Sequence, residues 1–112
     1  MFESGRLPTT VTMDEFGRIL IPAYIRASLE WDSGDSLTPR ALTYVQNGNF
    51  HAGALGFRKT FSMDTDMKID DHGRIYIPEE LRKIKEWELG ERFELIVPDA
   101  DGLLVLLPIS VS

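Results

Sequence analysis

The strongest constraint on this chain is an internal repeat at a constant offset of 56 residues. The segment from Asp14 to Arg26 aligns with the segment from Asp70 to Arg82. Ten aligned positions are identical: Asp14/Asp70, Gly17/Gly73, Arg18/Arg74, Ile19/Ile75, Ile21/Ile77, Pro22/Pro78, Arg26/Arg82, Glu30/Glu86, Trp31/Trp87 and Gly34/Gly90. Because a short chain buries only a limited core, we expect the two copies to be similar modules that fold together.

Each repeat predicts a turn, a strand and a short helix in that order. Asp14 favours the first position of a turn, and Gly17 accepts the positive φ that precedes the returning strand. Ile19 and Ile21 alternate along that strand, and Pro22 suits the first turn of a helix. Aligned residues predict the same elements in the second repeat. The apolar side chains expected to face the core from the helices and their ends are Ile25, Leu29, Trp31, Leu81, Ile84 and Trp87.

A strand pair is predicted to close each module. In the first module the strands cover residues 36–46 and 50–55, joined at Asn47-Gly48, which is a strong hairpin signal. In the second module they cover residues 92–98 and 103–108. Residues 56–66 are predicted to be a linker. The chain therefore divides into a first module, residues 1–56, and a linker plus second module, residues 57–112. We expect a mainly β fold with short helices.

The charge balance limits what the chain can bind. It has 18 acidic and 12 basic residues, a net charge of −6 and a pI near 4.8. Nucleic-acid-binding proteins usually carry a basic surface, because DNA binding neutralises phosphates. Residues 1–56 sum to −2 and residues 57–112 to −4. Any contact with DNA must therefore come from a local basic patch.

Several function classes find no support in the sequence. The chain has no cysteine, and His51 and His72 each stand without a second ligand at metal spacing. No Ser-His-acid arrangement or glycine-rich phosphate loop is present. We therefore expect no catalysis, cofactor, metal or small-molecule substrate. No run approaches the roughly 18–20 apolar residues of a membrane span, and no signal-peptide pattern opens the chain, so a cytoplasmic location is expected.

The repeated motif resembles that of the SpoVT/AbrB family of DNA-binding proteins. In both copies it runs Asp-x-x-Gly-Arg-Ile-x-Ile-Pro-x-x-Ile/Leu-Arg, followed by Gly-Asp/Glu before a strand. The tandem arrangement is similar to that of the two-module MraZ regulators of the same superfamily, although this chain is shorter. The resemblance implies a swapped-hairpin β-barrel with pseudo-twofold symmetry. Two modules interleave their hairpins in such a barrel, and one face meets DNA.

The resemblance also implies which residues contact DNA: Arg18, Arg26, Lys68, Arg74, Arg82 and Lys83. Arginine suits this task because its planar fork can bind phosphate or guanine through two hydrogen bonds. Lys68 and Lys83 align with Thr12 and Ala27, so the first module carries fewer of these cations. A structural interpretation stays open beside this one. Arg18 follows Asp14 by four residues and Glu15 by three, so an ion pair could simply brace the turn.

The sequence therefore predicts a sequence-selective DNA-binding transcriptional regulator. Its expected partners are double-stranded DNA and further copies of the chain in a homo-oligomer. Two alternatives remain. The first is a barrel without DNA binding that acts as a protein-interaction module, which the net charge of −6 favours. The second is an antitoxin-type regulator, which would co-purify with a toxin-like partner.

Overall fold

The computed structural model describes residues 9–46, 48–61, 67–98 and 102–109. The elements in chain order are β1 (Thr9–Thr12), β2 (Arg18–Leu20), α1 (Ala23–Leu29), β3 (Ser36–Gln46), β4 (Asn49–Thr60), β5 (Arg74–Tyr76), α2 (Glu79–Lys85), β6 (Arg92–Ile96) and β7 (Leu104–Pro108). This is a mainly β fold with short helices, as the sequence predicts. Neither helix in the described ranges has the length and apolar character needed to cross a membrane.

The strands form one large sheet and one small one. Five strands make an antiparallel sheet in the order β1-β6-β7-β4-β3, while β2 and β5 pair as a separate two-stranded ribbon. Over the described residues these are two open sheets, so the closed barrel implied by the resemblance is not formed. The reason lies in the ribbon strands. Each has three residues and pairs with the other, so neither connects the two ends of the large sheet.

The repeats exchange strands about a pseudo-twofold axis. Strand β1 of the first repeat pairs with β6 of the second, with Thr12 opposite Arg92. The mirrored contact places Lys68 of the second repeat opposite Ser36 of β3. Backbone hydrogen bonds of 2.7–3.0 Å repeat this relation, from Met13 N to Glu91 O, Gly90 N to Met13 O, Ile69 N to Asp35 O and Gly34 N to Ile69 O. Each repeat therefore pairs with a strand of the other within one chain.

Side chains of both repeats form the main core. Its buried members are Met13, Ile19, Ile21, Ile25, Leu29, Trp31, Leu37, Leu55, Phe57, Met67, Ile69, Ile75, Ile77, Trp87, Phe93, Leu95, Leu104 and Leu106. Both tryptophans lie in it, as predicted. The Trp87 and Phe93 rings meet edge to face, with centroids 4.7 Å apart, an arrangement that adds to the stabilisation from burial.

The two helices differ in how much they bury. Ile25 and Leu29 are buried, as predicted, because residues four apart share one helix face. In α2, Leu81 is half-buried and packs against the core, but Ile84 is 77% exposed. The prediction for Ile84 is therefore wrong. Ile84 aligns with the exposed Ser28, and the residue that shares the face of Leu81 is Lys85.

Strand β4 is longer than the sequence predicts. It continues through Thr60, whereas residues 56–66 were expected to be a linker and residue 56 to end the first module. Phe57 explains the extension, since it is 1% exposed and its backbone pairs with both Pro39 of β3 and Leu104 of β7. The rest of the predicted linker, residues 62–66, lies outside the described residues, as does Asn47 of the predicted hairpin turn. Gly48 of that turn has a φ of 81°.

Candidate nucleic-acid interface

The turn before each ribbon strand is held by its aspartate. One oxygen of Asp14 accepts the backbone N–H of Phe16 at 2.9 Å and of Arg18 at 2.8 Å. The other oxygen accepts the Nε–H of Arg18 at 2.9 Å. Gly17 has a φ of 82°, which completes the predicted turn. The arrangement orders the arginine as well as the turn.

The second repeat reproduces this geometry. Asp70 accepts the backbone N–H groups of His72 and Arg74, each at 2.9 Å, and the Nε–H of Arg74 at 3.2 Å. Gly73 has a φ of 79°. Arg18 and Arg74 therefore brace their turns, as the structural interpretation expected. The partner of each is the aspartate at the start of its turn.

These hydrogen bonds lower the pKa of both turn carboxyls. Burial raises the pKa of Asp14, but the backbone N–H groups of Arg18 and Phe16 and the Arg18 guanidinium outweigh it. Burial likewise raises the pKa of Asp70, and the corresponding donors from Arg74 and His72 outweigh it. Each pKa lies below the ordinary value of 3.8, so both carboxylates stay ionised and keep their arginines at neutral pH.

The ribbon carries the two arginines on its outer face. Ile19 and Ile75 are paired at its centre and are each 1% exposed, so they point into the core. Strand alternation places the flanking residues on the opposite face. That face, called the ribbon face below, consists of Arg18, Leu20, Arg74 and Tyr76. The cross-strand pairs on it are Arg18 with Tyr76 and Leu20 with Arg74.

The helix arginines reach across to the other repeat. Arg26 Nε donates to Ile21 O at 2.9 Å, and its guanidinium covers Gly73, where a Cβ would lie 2.8 Å from the nearest guanidinium atom. Ile21 N also donates to Gly73 O at 2.9 Å. Arg82 stands in the same relation to Gly17, with 3.0 Å to the nearest guanidinium atom. These two arginines help to hold the repeats together, a role that the sequence analysis missed because it depends on contacts between repeats.

The two predicted lysines lie at exposed positions of the second repeat. Lys68 is exposed in the short bridge opposite Ser36. Lys83 is 76% exposed on α2, with its Nζ 3.8 Å from an oxygen of Glu79. Arg92, which the sequence analysis did not select, is exposed opposite Thr12. Each of the two strand contacts between the repeats therefore carries one cation. Arg92 lies opposite Thr12 in one contact, and Lys68 lies opposite Ser36 in the other.

The bracing contacts leave part of each guanidinium available. The two turn arginines and the two helix arginines all use Nε for their internal hydrogen bond: Arg18, Arg74, Arg26 and Arg82. Within the part of the chain that the structure describes, their terminal nitrogens donate to no other residue. The side chains of Arg18 and Arg74 are 29% and 28% exposed. An arginine held in this way can still present two donors to an anion such as phosphate.

No known protein-family model matches the chain, and no curated protein matches it. Among solved structures, the chain is similar to the solution structure of PHS018 from Pyrococcus horikoshii, at 19% identity over 94% of each chain with a TM-score of 0.48. A likeness this distant assigns neither family nor function.

Proposed function

We propose that this protein is a SpoVT/AbrB-type transcriptional regulator that binds double-stranded DNA through the ribbon face. Each repeat supplies one half of the interface, within a fold related to the swapped-hairpin barrel of that family. The observation that carries the proposal is the pair of ordered arginines, Arg18 and Arg74, on opposite strands of an exposed ribbon. Both are held by Nε and both keep terminal nitrogens for a ligand.

The geometry of the ribbon face suits DNA. A two-stranded ribbon fits the major groove, where an arginine can bind guanine O6 and N7 or an adjacent phosphate. Because Asp14 and Asp70 hold the arginines in place, less side-chain entropy is lost on binding. Leu20 and Tyr76, 48% and 44% exposed, occupy the other two positions of the ribbon face and can contact thymine methyl groups or sugars. The approximate twofold relation of the halves matches a site with two similar half-sites.

The acidic composition shapes the expected binding. With a net charge of −6, the chain as a whole is repelled by DNA, so binding depends on short-range contacts by the local cations. If the six predicted basic residues each neutralise one phosphate, the logarithm of the binding constant falls with the logarithm of salt concentration with a slope of about −5. Weak nonspecific binding and a strong preference for one sequence are expected together.

The test is selection from a random duplex library at low salt, followed by salt titration on the recovered sequence. The proposal expects a consensus whose affinity falls steeply with salt and is lost in the double variant Arg18→Ala, Arg74→Ala. Arg40→Ala is the matched control, because Arg40 is an exposed strand arginine outside the ribbon face. It should leave the affinity unchanged.

Failure has a definite meaning. If no sequence is enriched at low salt, the arginines only brace the turns. The protein would then be a protein-interaction module, the alternative that its acidic charge favours.

A further inference from the structure

A cavity of about 220 Å³ opens on the outer face of the large sheet, over the hairpin of β3 and β4. Thr38 and Arg40 of β3 and Arg58 of β4 line it, and Thr38 lies directly opposite Arg58. These residues alternate along their strands with Leu37 and Phe57, which are buried in the main core, so they lie on the face that points away from that core. The cavity therefore belongs to the outer surface of the sheet, and it shares no residue with the ribbon face.

The two arginines of this cavity are diagonal neighbours. Arg40 lies opposite Gly56, which precedes Arg58 by two residues along β4. Diagonal neighbours on one face of a sheet are about 7–8 Å apart, a separation that long side chains can bridge. Both arginines are exposed. Each guanidinium has five N–H donors, so one anion can bind to both while each arginine keeps its other contacts.

The charge of the cavity is opposite to that of the chain. The described residues that line it include no aspartate or glutamate, although the chain has 18 acidic and 12 basic residues. Lys59 also lines the cavity, but its Nζ donates to Glu30 O at 2.7 Å and lies 3.3 Å from an oxygen of Asp35. The positive charge available at the cavity therefore comes from Arg40 and Arg58, and it attracts an anion.

One wall of the cavity is apolar. Gly56 and Leu103 line it, and a Cβ at Gly56 would lie 2.6 Å from Leu42 and 3.0 Å from Leu103. The two leucine side chains therefore lie directly over the glycine, which leaves them the room that a larger residue would take. Since Arg40 is the cross-strand partner of Gly56, apolar atoms and a guanidinium lie side by side. A ligand that fits this cavity has an anionic end and a small apolar part.

We infer that the cavity binds a small phosphate monoester, with its phosphate on Arg40 and Arg58 and its carbon skeleton against Leu103. The terminal oxygens of such a phosphate can accept from two guanidinium forks and from the hydroxyls of Thr38 and Thr60, whereas a carboxylate has one oxygen fewer. The volume selects a small ligand, since cavities for drug-sized molecules measure about 300–1,000 Å³. The inference does not depend on the proposed DNA binding.

Titration of the full chain with inorganic phosphate, phenyl phosphate and benzoate, followed by nuclear magnetic resonance, tests the inference. The backbone amide signals of Thr38, Arg40 and residues 56–60 should shift with both phosphates. Phenyl phosphate should bind with a dissociation constant of about 0.1–1 mM, more tightly than inorganic phosphate, because its ring adds contact with Leu103. Benzoate should bind at least about tenfold more weakly than phenyl phosphate, because it loses charged hydrogen bonds. Equal affinity for benzoate would contradict the assignment to phosphate.

Variants of the lining residues separate the two ends of the ligand. Arg40→Ala should weaken phenyl phosphate binding by about tenfold or more, and Arg40→Lys should restore only part of the loss because an ammonium lacks the planar fork. Leu103→Ala should weaken phenyl phosphate and leave inorganic phosphate unchanged, a difference that a folding defect would not produce. Arg92→Ala is the matched control, since Arg92 is an exposed strand arginine outside the cavity. It should bind both phosphates like the wild type.

The double variant Arg18→Ala, Arg74→Ala distinguishes a free phosphate ester from the phosphates of DNA. This variant should bind phenyl phosphate like the wild type, and random duplex DNA should not displace the probe from it. Displacement by DNA would assign the cavity to backbone phosphates and overturn the inference. A wild type that binds neither phosphate, or an Arg92→Ala variant that loses as much affinity as Arg40→Ala, would overturn it as well.

Discussion

The second repeat holds His72, Tyr76 and Lys83 at exposed positions where the first repeat holds Phe16, Leu20 and Ala27. Inside the molecule, by contrast, several paired positions carry the same residues, as in the buried isoleucines at the ribbon centre and the two tryptophans. The hairpins differ as well. That of the first repeat is long and uncharged at its end, whereas the connection between β6 and β7 carries Asp99 and Asp101. One scaffold, used twice, therefore presents two different surfaces.

This comparison implies that substitutions in the shared scaffold have matching effects in both repeats, while surface substitutions have unequal ones. The pseudo-twofold hydrogen bonds hold the repeats in equivalent positions, so a scaffold residue that both repeats share meets a similar backbone in each. Surface residues are free of that requirement, and they are where the two halves of a DNA site would be distinguished.

The largest effect is expected at the turn glycines. Gly73→Ala places a Cβ at positive φ and within 2.8 Å of the Arg26 guanidinium. The backbone strain costs about 1–2 kcal/mol, and displacing Arg26 from Ile21 O costs about 1 kcal/mol more. Urea unfolding should show a loss of about 2–3 kcal/mol, and Gly17→Ala, with 3.0 Å to Arg82, should lose nearly as much.

Gly34→Ala is the control for backbone strain alone. Gly34 has a φ of 89° and no atom within 4 Å of its Cβ position, so only the strain should remain. In an Arg26→Ala background the cost of Gly73→Ala should fall to the Gly34→Ala value. Equal costs for Gly34→Ala and Gly73→Ala in the wild-type background would show that the crossing arginine contributes nothing.

A smaller effect is expected from the turn aspartates under acid. Their pKa values are lower in the folded protein than in the unfolded chain, so their stabilisation is complete above about pH 4 and is lost as pH falls through the lowered pKa. Asp14→Asn and Asp70→Asn should each cost about 1 kcal/mol at pH 7, less than a buried charged hydrogen bond contributes, because the carboxylates are 34% and 38% exposed and solvent screens them.

Urea unfolding at pH 7 and pH 3 measures this effect. Each variant should lose less stability on acidification than the wild type, since it has one carboxylate fewer to protonate. The pKa of Asp35 is also lowered, by the backbone N–H of Asp32 and by Lys59, which together outweigh burial. Asp35 is present in the wild type and in both variants, so it contributes equally to all three acid responses. An acid response that differs between the two variants would contradict the equivalence of the turns.

Local chemistry explains what the sequence could predict. The Asp-x-x-Gly turns, the alternating isoleucines and the helices that follow Pro22 and Pro78 depend on neighbouring residues, and all lie where the repeat predicts them. The buried tryptophans followed from the apolar pattern around them. Features that depend on pairing between distant segments were not predictable. The extension of β4 needs β7 beside it, and the packing of Arg26 on Gly73 needs the other repeat.

Exchanging one surface cation tests whether the two repeats contribute unequally to the proposed DNA binding. Lys83→Ala should reduce the steepness of the salt dependence of DNA binding by about 0.9, and Ala27→Lys should increase it by about the same amount. A lysine at residue 27 would lack a competing carboxylate of this kind, because Ala23 stands where Glu79 pairs with Lys83. Leu89→Lys adds the same charge outside the proposed interface as a control. A slope that Leu89→Lys changes as much as Ala27→Lys would show that only net charge matters.

The smallest effect is expected at the helix ends, where the repeats should agree again. Glu30 and Glu86 both have a φ of 61°, a left-handed conformation that costs a residue with a side chain about 1–2 kcal/mol more than glycine. Relief of this strain is partly offset, because glycine increases the conformational entropy of the unfolded chain. Glu30→Gly and Glu86→Gly should therefore each stabilise the fold by about 0.5–1 kcal/mol in urea unfolding.

The backbone contact at the first helix end survives this change, because Lys59 donates to the carbonyl oxygen of Glu30 and not to its carboxylate. Glu30→Gln and Glu86→Gln remove the charge but keep the side chain, so they separate backbone strain from electrostatics. If the glutamine variants stabilise as much as the glycine variants, charge repulsion and not strain is the cause. If glycine stabilises the fold in only one repeat, the two helix ends are not equivalent. The pseudo-twofold relation would then hold only for the ribbon and its turns.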